Sequence, residues 1–383
     1  MKIVYIITDL CIGGAQIMLY NLLLRMNRER FTPVVISLME RGTLGDRIAE
    51  LGIPVYAIDL KPENLAPTAI WQLIRLVRQL QPDLIQGWMH HGNLAAQFSS
   101  TFSLNRMPVL WNIQNSMYSL EYEKKMTAAV VRLSAYLSKL ATNIIYVSSV
   151  SQSQYEALGY CSRDRCVIPN GIDTSLFTPA GEHRLSLRAE LGLPEDSILI
   201  GLMARFHPQK DHNNFLQAAA LLWRNYPNVH FLLSGYEVDW ENQILTQLIQ
   251  ELGLANQVSL LGERKDMHRL NAALDIGSLP SAYGEAFSLA LGEAMSCGVP
   301  CVVTDIGDSA WMVDTTGRVV PPRNPEALAN AWKELIDLGT EGRAALGQAA
   351  RARAIAHFSL DSVVDQYETL YERVFSQTIN KKI

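Results

Sequence analysis

The sequence predicts an α/β protein of two Rossmann-like, doubly wound domains facing a central cleft. Three observations predict it. Short apolar runs bounded by turn formers alternate with segments long enough for helices, the pattern of parallel strands covered on both faces. The alternation occurs twice, interrupted once by VIPNGIDTSLFTP at Val167–Pro179. A length of 383 residues suits two domains of usual size better than one core.

The first series opens with the β-branched run Lys2–Ile7, a turn at Gly13-Gly14 and a helical pattern from Ala15 to Met26. Further strands are expected at Pro33–Leu38, Pro54–Ile58, Asp83–Gln86, Val109–Ile113 and Asn143–Val147, with helices at Leu44–Leu51, Pro67–Leu80, Gly92–Phe102 and Glu121–Leu140. Pro169, Asn170, Gly171 and Pro179 then mark the crossing between domains. The second series has strands at Ser197–Met203, Val229–Ser234, Val258–Leu260, Asp275–Leu279 and Val299–Thr304. Its helices are Asp211–Asn225, Asn242–Glu251, Met267–Ala273 and Phe287–Ser296; Phe215, Ala219 and Leu222 follow the spacing of a buried helix face. Three helices close the chain, at Pro325–Leu338, Gly342–His357 and Leu360–Phe375. With no strand between them they cannot extend the alternation, and the last is expected to cross back onto the first domain. The division is therefore 1–178, 179–357 and a returning helix at 358–383.

Composition narrows the function. Apolar residues make up 48% and charged residues 19%, with net charge -5 and no basic run, so nucleic acid is not expected as a partner. Cys11, Cys161, Cys166, Cys297 and Cys301 show no C-x2-C pair, which argues against a zinc site and suits a reducing compartment. No stretch reaches the roughly 18 apolar residues of a membrane span. A cytoplasmic protein is expected. The helix around Tyr122–Leu140 carries Lys124, Lys125, Arg132 and Lys139 among apolar residues; an ordinary helix with a solvated basic face has this pattern, and so does an amphipathic helix touching anionic lipid at the inner membrane face.

Four constellations carry chemistry. Pro280–Asp308 contains Gly284 and Glu285 in a polar loop after a strand. With a helix starting near Phe287, the amides of Phe287, Ser288 and Leu289 form an anion site suited to phosphate. Glu285 and Glu293 flank it, and a carboxylate accepts paired sugar hydroxyls well. In ARFHPQKDH at Ala204–His212, Arg205 and Lys210 bracket a loop and can neutralise a diphosphate. In DLCIGGAQ at Asp9–Gln16, Gly13-Gly14 allows close backbone approach before a helix; this is not a G-x-G-x-x-G fingerprint. In QGWMHHGN at Gln86–Asn93, His90 and His91 stand at a strand's carboxyl end. Taken singly, each of these is also what an ordinary turn or solvated helix end looks like. No D-x-D triplet occurs, and no metal is expected.

Together, Gly13-Gly14, the NGID turn at 170–173, Arg205 with Lys210, and PSAYGEAFSLALGEAMSCGVP with Glu285 and Glu293 resemble glycosyltransferase family 4 across nearly the whole chain. The resemblance implies the GT-B fold and a retaining transfer from a nucleotide sugar, with no metal or other cofactor. It implies that Arg205 and Lys210 hold the donor diphosphate against Gly13 and Gly14. Glu285 would contact the transferred sugar with the amides of Ala286, Phe287, Ser288 and Leu289, and Glu293 the ribose. The base would rest near Ser234-Gly235 and Glu263–Asp266, with Arg264 in the donor set. Relatives often carry a histidine where Trp88 falls; here His91, two residues before Asn93, is favoured as catalytic over His90, with Gln16 and Asn93 also on the acceptor side. Catalysis would thus rest on His91, Arg205, Lys210 and Glu285.

The expected activity is transfer of a hexose-type sugar to a saccharide or lipid-linked acceptor, in polysaccharide or glycoconjugate synthesis. A nucleotide-sugar epimerase of the same fold and a non-catalytic sugar-nucleotide binder are the competing readings. The base, the sugar, the acceptor and the oligomeric state stay open.

Overall fold

The computed structural model describes residues 1–60, 67–103, 106–117 and 125–380. The chain forms two compact units. One comprises Met1–Gly171 with the chain from Leu360 onward, the other Ile172–Ser359.

The first unit holds a seven-stranded sheet in the order β3-β2-β1-β4-β5-β6-β7, every pairing parallel. Its strands are β1 (Lys2–Ile7), β2 (Thr32–Ser37), β3 (Val55–Ala57), β4 (Leu84–Trp88), β5 (Val109–Ile113), β6 (Asn143–Tyr146) and β7 (Arg165–Val167). The run KIVYII in β1 is apolar throughout because both sheet faces are covered. Ile3, Tyr5 and Ile7 pack with Met18 and Leu22 of helix Gly14–Arg25, Leu44 of Gly42–Glu50 and Val363 of Leu360–Asn380. Val4 and Ile6 face the other way, among Leu73 and Val77 of Pro67–Leu80, Leu94 of Met89–Thr101 and Val131 of Lys125–Leu137.

The last helix is bound into this unit by buried polar groups. The Tyr371 hydroxyl donates to Gln86 Oε1 at 2.5 Å and accepts from Tyr5 at 3.1 Å. Asn112 Nδ2 donates to the Tyr367 hydroxyl at 2.7 Å. Glu368 accepts the Asn27 amide at 2.7 Å and an Arg30 guanidinium nitrogen at 3.0 Å. Fully buried tyrosines need such partners, since an unpaired buried hydroxyl costs about 1–3 kcal/mol.

The second unit holds a six-stranded parallel sheet in the order β10-β9-β8-β11-β12-β13. Its strands are β8 (Ile198–Met203), β9 (Val229–Ser234), β10 (Val258–Leu260), β11 (Ile276–Leu279), β12 (Cys301–Thr304) and β13 (Arg318–Val320). Phe215 of helix His212–Trp223 stands edge-on to Trp332 of Pro325–Asp337, with centroids 5.1 Å apart, above Phe231 of β9. Helix Gly181–Glu190 is fastened to the start of β11 by charge. Arg184 and fully buried Arg188 each reach an Asp275 oxygen at 2.6 Å, and Asp275 also accepts the Leu199 amide.

Several elements depart from the sequence expectation. β7 and β13, of three residues each at the edges of their sheets, were not expected. Helix Ser149–Ala157 is polar, burying only Ser151 and Tyr155, and gains its start from Ser148, whose side chain accepts the Ser151 amide. Helices Gly181–Glu190 and Ser309–Val313 were not expected either. Of the helix expected at Glu121–Leu140, Lys125–Leu137 is helical and Ser138–Leu140 a tighter turn; residues 121–124, including Lys124, lie outside the described residues.

Each sheet reverses its strand order once, at β1/β4 in the first unit and β8/β11 in the second. In such sheets ligands bind beyond the carboxyl ends of the strands flanking that reversal. Asp9–Gln16 and Met89–Asn93 follow β1 and β4; Ala204–Lys210 and Pro280–Glu285 follow β8 and β11.

Replacing Tyr371 by Ala removes a fully buried ring and strands Gln86 and Tyr5. The expected loss is about 3–5 kcal/mol, the range for large aromatic truncations, read as a lowered urea midpoint; a midpoint unchanged within error contradicts the latch.

Candidate functional site

In the second unit the loops after β8 and β11 are stitched together. Lys210 Nζ lies 2.7 Å from Glu285 Oε2, and the same oxygen accepts the Ser281 hydroxyl at 2.8 Å. Gln209 Nε2 donates to the Gly284 carbonyl at 2.9 Å, and the Ala282 amide donates to the Gln209 carbonyl at 2.8 Å. Thr304, at the end of β12, donates its hydroxyl to the Ser281 carbonyl at 2.6 Å. Glu285 is 7% exposed, so its charge depends on these partners. A third loop closes over it: a Cβ on Gly307, where φ is +62°, would sit 2.0 Å from the Glu285 carbonyl oxygen. Only glycine fits there.

Arg205 is exposed and makes no ion pair or side-chain hydrogen bond among the described residues. It stands beside His207, which its charge helps to hold below the usual histidine range after burial. The two cations expected to share one role therefore differ: Lys210 is already neutralised, while Arg205 is open.

The helix expected from Phe287 starts instead at Leu289. Ser288 caps it, its hydroxyl accepting the Leu291 amide at 3.3 Å. The first-turn donors left open are thus those of Leu289 and Ala290, two residues later than the spacing suggested. The reason is local: Phe287 turns inward onto Phe358, with centroids 5.4 Å apart, and the Ala286 carbonyl accepts the Asp308 amide. Glu293 then falls in the second turn. Its carboxyl is crowded by protein, and burial pushes its pKa up to about 7.

Ser234 and Gly235 end β9, where the Ser234 hydroxyl and the Gly235 amide both donate to the Gly262 carbonyl, at 2.8 and 2.9 Å. A Cβ at Gly235, φ +156°, would meet the Ala204 carbonyl oxygen at 2.3 Å, so β8 and β9 exit side by side only with glycine there. Arg264, expected in the donor set, forks onto Asp266 at 2.8 and 2.7 Å and reaches Glu190 at 2.8 Å. Its planar fork matches a carboxylate, which is why a neighbouring Asp captures it.

In the first unit Gly13 precedes helix Gly14–Arg25, and Gln16 turns back so that its Nε2 donates to Asp9 Oδ1 at 3.0 Å. Trp88 is fully buried, its Nε1 donating to the Ala15 carbonyl at 2.9 Å, which fixes this turn against β4. Met89 follows with φ +63°, a strained conformation for a non-glycine residue. The histidines separate. His90 is buried with Nε2 3.0 Å from the Tyr155 hydroxyl, Nδ1 without a hydrogen-bond partner among the described residues and a pKa lowered by burial to about 4; His91 is exposed. Asn93, expected on the acceptor side, is a framework residue. It is 1% exposed, accepts the Asn112 amide at 3.0 Å and donates to the Asn112 carbonyl at 3.1 Å.

Sequence reasoning missed Ser281, Gln209, Thr304 and Tyr155. The first three lie within the segments singled out, Thr304 at the end of the strand Val299–Thr304 expected there, but spacing gave no sign that they pair. Tyr155 sits on a helix whose polar face gave no period. Among the described residues no three His, Cys, Asp or Glu side chains gather as a metal site.

Glu293 makes stability depend on pH. Burial lifts its folded pKa to about 7, above the ordinary glutamate carboxyl at about 4.5, so the folded state holds the extra proton and loses stability as pH rises from about 4.5 through 7. Glu293→Gln is expected to exceed the parent by roughly 2–3 kcal/mol at pH 8 and to match it below pH 4. Guanidinium unfolding at both pH values checks this; equal stabilities at pH 8 contradict the burial.

The chain matches known proteins along both units. Residues 12–176 match the family described as Glycosyltransferase Family 4, and residues 184–353 match Glycosyl transferases group 1. A D-inositol 3-phosphate glycosyltransferase of Mycolicibacterium gilvum (strain PYR-GCK) is 33% identical over 221 residues, 55% of this chain and 47% of that protein. That of Mycolicibacterium smegmatis is 30% identical over 244 residues, 62% and 54% respectively. The chain spans about half the length of the curated relatives it matches. The crystal structure of Anabaena Alr3699/HepE in complex with UDP is 26% identical, with a TM-score of 0.86 over 97% of this chain and 100% of that one. The same Anabaena protein in complex with UDP-glucose gives 0.83 at the same identity and coverage. With two parallel-sheet Rossmann-like domains of the GT-B kind and both halves matched, the chain belongs to glycosyltransferase family 4.

Proposed function

We propose that the chain is a retaining, metal-independent glycosyltransferase. It moves a hexose-type sugar from a nucleotide sugar to a saccharide or lipid-linked acceptor, in polysaccharide or glycoconjugate synthesis. The observation that carries this reading is the Lys210–Glu285 pair at the strand-order reversal of the second unit, with Arg205 open beside it. The Anabaena structures in complex with UDP and UDP-glucose support a uridine nucleotide as the first donor to try. Five free cysteines suit the reducing cytoplasm as the place of action.

The donor diphosphate meets Arg205 first and competes with Glu285 for Lys210. Glu285, still held by Ser281, is then free to accept sugar hydroxyls, and the open amides of Leu289 and Ala290 face the phosphate. Glu293 accepts the ribose hydroxyls. The acceptor oxygen bonds to the anomeric carbon as the bond from that carbon to the diphosphate breaks. The departing diphosphate, its growing charge stabilised by two cations, takes the acceptor's proton. Of the two histidines, His91 reaches substrate, because His90 is occupied by Tyr155.

A thermal-shift panel of UDP, GDP and ADP is expected to single out UDP, since a ligand that binds only the folded state raises the midpoint by mass action. Lys210→Ala is expected to lower turnover by about two orders of magnitude or more, the scale of losing a charge-stabilising donor. Near-normal transfer by that variant sinks the diphosphate assignment. NMR of the donor with and without acceptor separates transfer from epimerisation: an isomerised sugar formed without acceptor refutes the transferase reading.

A further inference from the structure

Three neighbouring helices on one face of the first sheet, Pro67–Leu80, Met89–Thr101 and Lys125–Leu137, share an unusual outer surface. Their inner sides carry Leu73, Val77, Leu94 and Val131 to the core. Their outer sides keep large apolar groups in solvent. Trp71 is 60% exposed and Tyr136 73%, with Phe102, Leu133 and Leu140 also exposed. Isolated exposed apolar residues are common; several on adjacent helices of one layer mark an interaction surface.

Charge indicates what the surface meets. The whole chain is acidic, at -5, yet none of the three helices contains an aspartate or glutamate. Glu121 and Glu123, which precede the third in sequence, lie outside the described residues. Among their described side chains the exposed charges are Arg75, Arg78 and Arg132, with Lys139 in the turn that follows. Aromatic and cation come in pairs: Arg75 lies 5.4 Å from the Trp71 ring centroid, and the Lys139 ammonium 6.0 Å from that of Tyr136. The pairs stand at i, i+4 and i, i+3, so Pro67–Leu80 and the end of Lys125–Leu137 with its following turn each show one outward ridge of ring plus cation, flanking Met89–Thr101. A ring with a polar edge beside a long basic chain suits the boundary between acyl chains and headgroups. No described helix is long and apolar enough to cross a membrane, so contact would be peripheral.

We propose that this three-helix face docks the protein on an anionic lipid bilayer, with Trp71 and Tyr136 entering the interface and Arg75, Arg78, Arg132 and Lys139 meeting lipid phosphates. The proposal extends the single basic helix legible in the sequence to a surface across three. It adds a location to the transferase reading without depending on it, because these helices belong to the first unit and the Lys210–Glu285 site to the second.

The test is flotation of the full chain with phosphatidylcholine vesicles and with equal mixtures of phosphatidylcholine and phosphatidylglycerol. Binding is expected only with the anionic lipid and is expected to weaken with added salt. Arg75→Glu with Arg132→Glu should lower the partition coefficient at least about twentyfold, on the scale of about fivefold per basic residue. Arg163→Glu with Arg224→Glu, an equal change of charge at exposed sites elsewhere, should leave binding within about twofold. Brominated lipid should quench the tryptophan emission of the parent, and Trp71→Phe should float normally but lose that quenching. Equal binding to zwitterionic vesicles, no binding at all, or equal effects of the two charge reversals overturns the proposal. So does dimerisation abolished by Trp71→Ala with Tyr136→Ala and unaccompanied by vesicle binding, because a second copy is then the occupant. The UDP-induced thermal shift, measured on every variant, reports the donor site separately: a normal shift with lost flotation supports the docking face, and a lost shift with normal flotation counts against the donor reading alone.

Discussion

A single carboxylate oxygen on Glu285 organises the second unit's functional end. It takes the Lys210 ammonium and the Ser281 hydroxyl at once, and those residues belong to loops that leave β8 and β11. A buried carboxylate without partners costs several kcal/mol, so the chain must bring both loops to it or leave the charge unpaired. The Gln209–Gly284 hydrogen bond, the Thr304–Ser281 hydrogen bond and the close approach of Gly307 follow from that requirement. The pair also stores a competition. An incoming anion does not find two free cations; it finds one open arginine and one lysine that must change partner.

The two units answer the same topological problem with different chemistry. Each presents loops where the strand order reverses, which is where a parallel sheet leaves room for a ligand. In the second unit those loops carry charges that neutralise one another. In the first they carry Gly13, Gln16 and two histidines over a fully buried Trp88, with little charge at all. Burial separates the histidines further: at a pKa of about 4, His90 is a neutral hydrogen-bonding residue near pH 7, fixed to Tyr155. Solvent-facing His91 is left as the adaptable one.

The buried tyrosines of the last helix have a different purpose. Tyr367 and Tyr371 reach Asn112, Gln86 and Tyr5 across the first sheet, so a segment far along the chain completes the core around β1 and β4. The helix's carboxylate Glu368 adds the Asn27 amide and Arg30. A helix so held is part of the unit, and removing its partners exposes a stripe that water tolerates poorly.

The sequence by itself determined the architecture and pointed to the loops of the candidate site. Apolar strands of five or six residues alternating with helices are dictated by burial on both faces, and that signal is local, so β1, β5, β9 and the helix Pro67–Leu80 were legible to the residue. The loops with Arg205, Lys210, Glu285, Gly13 and His91 could be found the same way, as polar interruptions after strands. Tertiary structure alone decided how those residues are used. No spacing reveals that Lys210 chooses Glu285, that Arg264 is taken by Asp266 and Glu190, that Asn93 closes on Asn112, or that Phe287 turns inward and delays its helix by two residues. Short elements such as β7, β13 and Ser149–Ala157 were hidden too, because they owe their existence to neighbours rather than to their own pattern. The physical reason is common to all of these. Backbone periodicity is written in adjacent residues, whereas the partner of a buried charge or amide is chosen by distance in space, between groups that lie up to 75 positions apart along the chain in the Lys210–Glu285 case.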